Sequence, residues 1–268
     1  MADKLAILAG RGAMPALLAE AYPDAVCITF EGLDAPMPRV DARHRFEAFG
    51  AFMGDLAARG VTRVVLAGGV GRPPLNPAEF DDFMQALAPR LLAAFQGGDD
   101  ALARLVIQVF EENGIAVVGA HELLPALTAA PGVLVGAEPS ARNRADMARA
   151  TDILLALSPL DVGQGAVVAN GLALGIETQQ GTDAMLRFVA QTDQSLRGEG
   201  GGVLVKRPKI GQDLRVDMPA IGPDTVAGAA AAGLDGIVIS ARKVVLIERD
   251  RLVRAAQEAG LFIFAEDA

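Results

Sequence analysis

Short continuous apolar runs alternate with longer segments of helical period through the first half of the chain. Residues 4–9, 25–30, 61–67 and 115–119 are rich in Ala, Val, Ile and Leu. They lack the polar alternation of a half-exposed strand, so they predict strands buried on both faces. Between them, 14–22, 52–59, 76–94 and 99–113 repeat apolar residues three and four apart and predict helices. Strand–helix alternation of this kind predicts an α/β fold built on a parallel sheet with helices on both faces. The rhythm breaks over 129–144, where Pro131, Gly132, Gly136 and Pro139 punctuate the chain. A domain boundary is expected there, with one domain over 1–132 and a second over 140–268. In the second, Ser140 reads as the N-cap of a helix reaching about Leu157. Strands are expected at 166–169 and 172–177, joined by the turn pair Asn170-Gly171. A helix follows at 182–190, then a Gly-rich turn at 198–202. Strands at 203–206, 236–239, 244–247 and 261–265 complete the pattern, with helices between, and no solenoid period is present.

Composition narrows the functional classes. The 268 residues suffice for one large domain or two ordinary ones, and 51% hydrophobic with 21% charged residues describes a globular protein. No apolar run approaches the roughly 20 residues that span a bilayer, and the first residues lead straight into a strand with no signal-peptide pattern. A net charge of −9 argues against nucleic acid as a partner and against broad docking on anionic lipid. Cys27 is the single cysteine, so no internal disulfide can form. It lies in an expected strand and reads as a core residue, and a cytoplasmic address is expected.

Candidate chemistry sits at the punctuated positions. Gly10-Arg11-Gly12-Ala13-Met14-Pro15 links the first strand to the first helix, a place where backbone can approach a phosphate. Glu31, about 20 residues on, stands where dinucleotide folds keep a ribose-binding acid. Pro15 replaces the third glycine of that fingerprint, which weakens NAD. Another nucleotide or phosphate and a turn with no ligand both remain open. Gly97-Gly98-Asp99-Asp100 opens a helix, where carboxylates act as caps or as site residues. Gly119-Ala120-His121-Glu122 closes a strand at the end that faces the ligand crevice in open α/β sheets. His44, between Arg43 and Arg45, reads as a surface residue.

The densest signal lies in the second half. Asp161-Val162-Gly163-Gln164-Gly165 places an acid before a tight turn. Glu177 ends a strand, and Gly181-Thr182-Asp183 opens a helix. The segment from Lys206 to Gly222 mixes Lys206, Arg207, Lys209 and Arg215 with Asp213 and Asp217. If extended, it sets Asp213, Arg215 and Asp217 on one side. Cations for phosphate oxygens beside carboxylates for a proton or a hard metal such as Mg²⁺ or Mn²⁺ point to phosphate chemistry. Helix caps and surface ion pairs are the competing reading, and they account well for Asp183.

Six of these motifs, in this order, resemble the LpxI family of UDP-2,3-diacylglucosamine pyrophosphatases of lipid A synthesis in Gram-negative bacteria. They are the glycine turn ending at Pro15, Gly98-Asp99-Asp100-Ala101-Leu102, Gly119 to Glu122, Asp161 to Gly165, Glu177 to Leu186, and Lys209 to Gly222. Arg11 departs from the family, which often has a small residue there. The resemblance implies a Rossmann-like N-terminal domain, a C-terminal domain particular to the family, and a substrate lying between them. It implies metal-dependent hydrolysis, with Mg²⁺ or Mn²⁺, of UDP-2,3-diacylglucosamine to UMP and 2,3-diacylglucosamine 1-phosphate (lipid X). Asp217 matches the aspartate most tied to catalysis, as metal ligand or water-orienting base. Asp183 and Glu177 are expected as supporting metal ligands, and Lys209 and Arg215 as phosphate-facing cations. Gly10, Gly12, Asp99, Asp100, His121, Gln164, Gly181, Thr182 and Gln212 are expected substrate contacts. The lipid substrate implies transient contact with the cytoplasmic face of the inner membrane, and a homodimer is compatible with the chain. A nucleotide-sugar binding protein without catalysis and an NAD-dependent oxidoreductase are the rival readings.

Overall fold

The computed structural model describes residues 3–71, 73–198 and 200–267, and the side chains of Asp99 and Gln194 lie outside that description. The chain divides into two units. The first runs up to Leu124 and includes Asp213–Asp217; the second holds Pro125–Gln212 and the residues from Met218 on.

In the first unit five strands form one parallel sheet in the order β3-β2-β1-β4-β5. The elements are β1 (Leu5–Ala9), α1 (Met14–Ala21), β2 (Val26–Phe30), β3 (Ala42–His44), α2 (Phe49–Ala58), β4 (Arg63–Ala67), α3 (Asp82–Gln96), α4 (Asp99–Glu112), β5 (Ala116–Val117) and α5 (Ala120–Leu123). Every residue of β1 and β2 is buried, as their unbroken apolar runs require. Phe52 and Phe110 pack beneath them in a core that also takes in Val216. Helix α3 begins later than its periodicity predicts because Pro77 opens a separate 3₁₀ turn. The carboxylate of Asp81 then caps α3, accepting from the Met84 amide at 2.8 Å. Strand β3 was not expected; three residues are too few to show a period. It places His44 half-buried with Nε2 3.0 Å from Asp55, so His44 is not the free surface residue its arginine neighbours suggested. Cys27 is fully buried in β2, and burial pushes its thiol pKa up, which suits a core residue.

The second unit carries a mixed six-stranded sheet, β6-β13-β11-β9-β7-β8. Its elements are β6 (Gly132–Val135), α6 (Ala141–Leu157), β7 (Gly165–Ala169), β8 (Leu172–Ile176), α7 (Gly181–Ala190), α8 (Gln194–Arg197), β9 (Val203–Lys206), β10 (Ala220–Ile221), α9 (Pro223–Ala231), β11 (Gly236–Ser240), β12 (Val245–Leu246), α10 (Arg249–Glu258) and β13 (Phe262–Glu266). Strands β9, β11 and β13 are parallel, while β6, β7 and β8 join antiparallel. A parallel pair, β10 with β12, stands apart from this sheet. Helix α6 covers one face through Met147, Ala150 and Leu154. Helices α7, α9 and α10 cover the other through Leu186, Ala229 and Leu252. Ser140 caps α6 reciprocally with Asn143, as its sequence position predicts. Asn170 (φ 49°) and Gly171 (φ 76°) form the expected hairpin turn, and Asp146 accepts both turn amides, at 3.1 and 2.7 Å.

Candidate functional site

In the second unit three of the sequence motifs meet at one end of the sheet. Strand β7 runs antiparallel to both β8 and β9, so its start lies beside their ends. Gly165 pairs with Lys206, the Glu177 amide donates to the Gly165 carbonyl at 2.8 Å, and the Arg207 amide donates to the Gln164 carbonyl at 3.0 Å. Glu177 and Lys206 are buried there, 8% and 5% exposed. Lys206 Nζ donates to both carboxylate oxygens of Glu177, at 3.0 and 3.1 Å. The Thr182 hydroxyl donates to one of them at 2.6 Å, and the Gln164 amide to the other at 3.2 Å. Gly163 (φ 53°) passes so close that a Cβ would run into the Glu177 carbonyl. Glu177 is therefore the tie that gathers 163–165, Thr182 and Lys206. Its oxygens are occupied by donors of its own chain instead of standing open for a metal, as the sequence had suggested.

Lys209 is closed in the same way, by an ion pair with Asp161, which sits in the left-handed region at φ 57°. Gln212 accepts from the Lys209 amide at 2.9 Å and so pins the turn that carries it. Asp183 is exposed in the first turn of α7, directly after Gly181 (φ 82°) and Thr182. It lines a cavity of about 310 Å³ with Gly222, Thr225 and Arg251.

Asp213–Asp217 belongs to the first unit, so the motif that reads as one stretch in sequence is divided between the two units. Instead of an extended piece it is a turn, closed by the Asp217 amide donating to the Asp213 carbonyl at 3.2 Å. Alternation therefore does not set its polar side chains on one side. The turn is shaped by Arg215. Its Nε and Nη2 grip Asp213 at 3.0 and 2.7 Å, and its Nη1 reaches Glu111 at 2.8 Å. Hydrogen bonds from Arg215 hold the Asp213 carboxyl below the usual carboxylate range, and the two carboxylates push Arg215 up. Val216 anchors the turn in the apolar core. Beside it, a Cβ on Gly119 would lie 3.4 Å from the Arg215 Cα and would strike the His121 ring at 2.5 Å. His121 keeps its Nδ1 buried and without a hydrogen-bond partner among the described residues. So does Asp100 with its Oδ1, while its other oxygen pairs with Arg104. The side chain of Asp99 lies outside the described residues.

The glycine turn after β1 has a different role from the one expected. The Gly10 amide donates to the Ala67 carbonyl at 2.7 Å and the Arg11 amide to Gly69 at 2.8 Å, while Gly69 returns a bond to Arg11 at 3.1 Å. A Cβ on Gly10 would lie 2.7 Å from the Gly69 oxygen, and one on Gly68 (φ 85°) would run into the Arg11 carbonyl. These glycines let two loops zip together, so the Gly10 and Arg11 amides are spent within the protein and do not face a ligand. Gly12 stays exposed, at φ 95°.

Among the described residues no three His, Cys, Asp or Glu side chains are grouped to hold an ion. Glu177 is committed to Lys206, Asp213 to Arg215 and Asp161 to Lys209. In the sequence Lys206 is one cation in a charged run. Its position at the end of an otherwise apolar strand was the available signal that it closes on a buried acid. Among the described residues no helix is long and apolar enough to cross a membrane.

Comparison with known proteins bears on both units. The family model of the LpxI N-terminal domain matches residues 4–127, and that of the LpxI C-terminal domain matches 130–264. The chain is similar to the UDP-2,3-diacylglucosamine pyrophosphatase LpxI of Caulobacter vibrioides. The two are 36% identical over 282 aligned positions, which cover 98% of each chain.

Proposed function

The chain belongs to the LpxI family, and on that premise we propose that it hydrolyses the diphosphate bond of UDP-2,3-diacylglucosamine in lipid A synthesis. The observation that carries the reading is the likeness to the Caulobacter enzyme over 98% of both chains. Water attacks the α-phosphorus, the bond from that phosphorus to the bridging oxygen breaks, and UMP and 2,3-diacylglucosamine 1-phosphate leave. Asp217 orients the water and takes its proton. Lys209 and Arg215 supply positive charge to the phosphate oxygens, Arg215 through its fixed donor fork. Both are already paired with carboxylates, so substrate phosphates compete with Asp161, Asp213 and Glu111 for them. Gln164, Gly181, Thr182, Gln212, His121 and Asp100 are the remaining substrate contacts in this reading. The orphaned Nδ1 of His121 and Oδ1 of Asp100 are polar groups that a ligand could satisfy.

Dependence on Mg²⁺ or Mn²⁺ is part of this proposal, from the family resemblance and from the carboxylates of the two C-terminal segments. Among the described residues no three His, Cys, Asp or Glu side chains are grouped to hold the ion. The lipid substrate places the protein at the cytoplasmic face of the inner membrane, in transient contact with the bilayer. The test is release of UMP and lipid X from UDP-2,3-diacylglucosamine in detergent, with added Mg²⁺ and after exhaustive chelation. Release of both products with Mg²⁺ is expected, and its loss on chelation. Intact substrate under both conditions would overturn the hydrolase reading. Full turnover after chelation would remove the metal and leave Lys209 and Arg215 as the electrostatic helpers.

A further inference from the structure

The sheet of the first unit ends in a cavity that the reading above does not use. Its volume is about 380 Å³, within the range that holds small ligands. It opens at the carboxyl ends of the parallel strands. Arg11 follows β1, Glu31 and Leu33 follow β2, Phe46 follows β3 and Val70 follows β4. The strand order β3-β2-β1-β4-β5 reverses direction between β1 and β4, and open α/β sheets bind ligands at such a switch point.

The lining has three kinds of wall. Leu33, Val70 and the Phe46 ring are apolar, and Phe46 is held flat by stacking on Phe30, centroids 4.2 Å apart and 7° from parallel. Arg11 is exposed and has no ion-pair partner among the described residues. Glu31 is 61% exposed at its side chain, and its contact with Arg45 is long, at 3.9 Å. Arg45 is held mainly by Glu79, with Glu47 at 3.7 Å, so it does not consume Glu31. A planar apolar wall, an open carboxylate and an open cation match a base, a vicinal diol and a phosphate. We propose that this cavity seats the nucleotide half of the substrate, with Glu31 accepting from the ribose hydroxyls and Arg11 facing the phosphate. The identity of that nucleotide as a uridine nucleotide rests on the function proposed above.

The experiment is calorimetric titration of the full chain with UMP, with 2′-deoxy-UMP and with lipid X, on the wild type, Glu31→Ala and Arg11→Ala. Hydrolysis by the wild type is measured on the same preparation. Both side chains are exposed, so melting temperatures should match and folding does not confuse the result. The wild type should prefer UMP to its 2′-deoxy analogue by about tenfold or more, the scale of a hydrogen bond to a charged acceptor. Glu31→Ala should abolish that preference. Arg11→Ala should weaken both nucleotides alike, and neither variant should alter lipid X binding. A wild type indifferent to the 2′-hydroxyl, or a Glu31→Ala variant that keeps the preference, overturns the proposal. Equal loss of lipid X binding in both variants would also overturn it, since the cavity would not be specific to the nucleotide half. A wild type that reads the ribose but does not hydrolyse the lipid substrate would sink the proposed reaction and leave this cavity as a nucleotide site.

Discussion

Glu177 with Lys206 and Asp213 with Arg215 are both carboxylate–cation pairs, and they hold their segments in different ways. The first is buried, with four hydrogen bonds to one carboxylate from three donors on three segments of the second unit. The second is half-exposed, with side chains 26% and 32% accessible, and shapes a single turn of the first unit. A buried pair is costly to leave half-made, because the surviving charge has neither water nor partner. An accessible pair can exchange one carboxylate for another anion at little cost. The contrast implies that Glu177 and Lys206 fix the frame, while the Asp213–Arg215 pair can give way to another anion at little cost.

Asp217→Ala is the strongest way to break that contrast. It should lower turnover by about 10²- to 10⁴-fold, the usual scale for losing a general base, with substrate binding and melting temperature nearly unchanged. Turnover and melting measured on one preparation decide the matter. A large fall in melting temperature with near-normal turnover would make Asp217 part of the frame instead. Glu177→Ala should do the opposite and cost about 3–5 kcal/mol by stranding Lys206, lowering the melting temperature by roughly ten degrees. The pair Glu177→Leu with Lys206→Met should recover most of that loss, because an apolar pair leaves no buried charge. Failure of the double variant to recover would show that the hydrogen bonds to Gln164 and Thr182 matter more than charge pairing.

The smallest effect belongs to Asp213→Asn, within about 1 kcal/mol at neutral pH for so accessible a pair. Its signature lies in acid. Arg215 depresses the folded pKa of Asp213 below its unfolded value, near 3.9. The native state therefore binds fewer protons, so the contribution is present above about pH 4 and is lost as pH falls through the lower folded value. Melting curves between about pH 2 and 5 should be less steep in acid for Asp213→Asn than for the wild type. Identical acid limbs would mean that Arg215 does not stabilise the turn through this carboxylate.

The sequence was most legible where a local rule decides the structure. Ser140 caps its helix, Asn170-Gly171 turns its hairpin, and the continuous apolar runs became buried strands. Strands β3 and β10 have only three and two residues and no apolar run around them, and β6 lies in the stretch that Pro131, Gly132, Gly136 and Pro139 mark as a boundary. The turn at 213–217 departs from its sequence pattern because of a side-chain bond. Alternating polar and apolar residues suit a strand, but Arg215 bonds to Asp213 two residues back and closes the chain on itself. Glu177 and Lys206 lie 29 residues apart, and only the antiparallel pairing of β7 with β8 and β9 reveals that they meet. The glycine turn was recognised as a place of close approach. What approaches is the loop after β4, which no feature near Gly10 could disclose.

The pairing of β6 with β13 also bears on how the protein is made. These two strands lie side by side in the sheet yet roughly 130 residues apart in the chain, so their union carries a high entropic cost of closure. During synthesis at about 5–20 residues per second, β6 leaves the ribosome several seconds before its partner exists. It must wait as an unpaired edge of backbone donors and acceptors, the kind of surface that recruits other strands. Chaperone demand should therefore last from the emergence of residues 132–135 until residues 262–266 emerge.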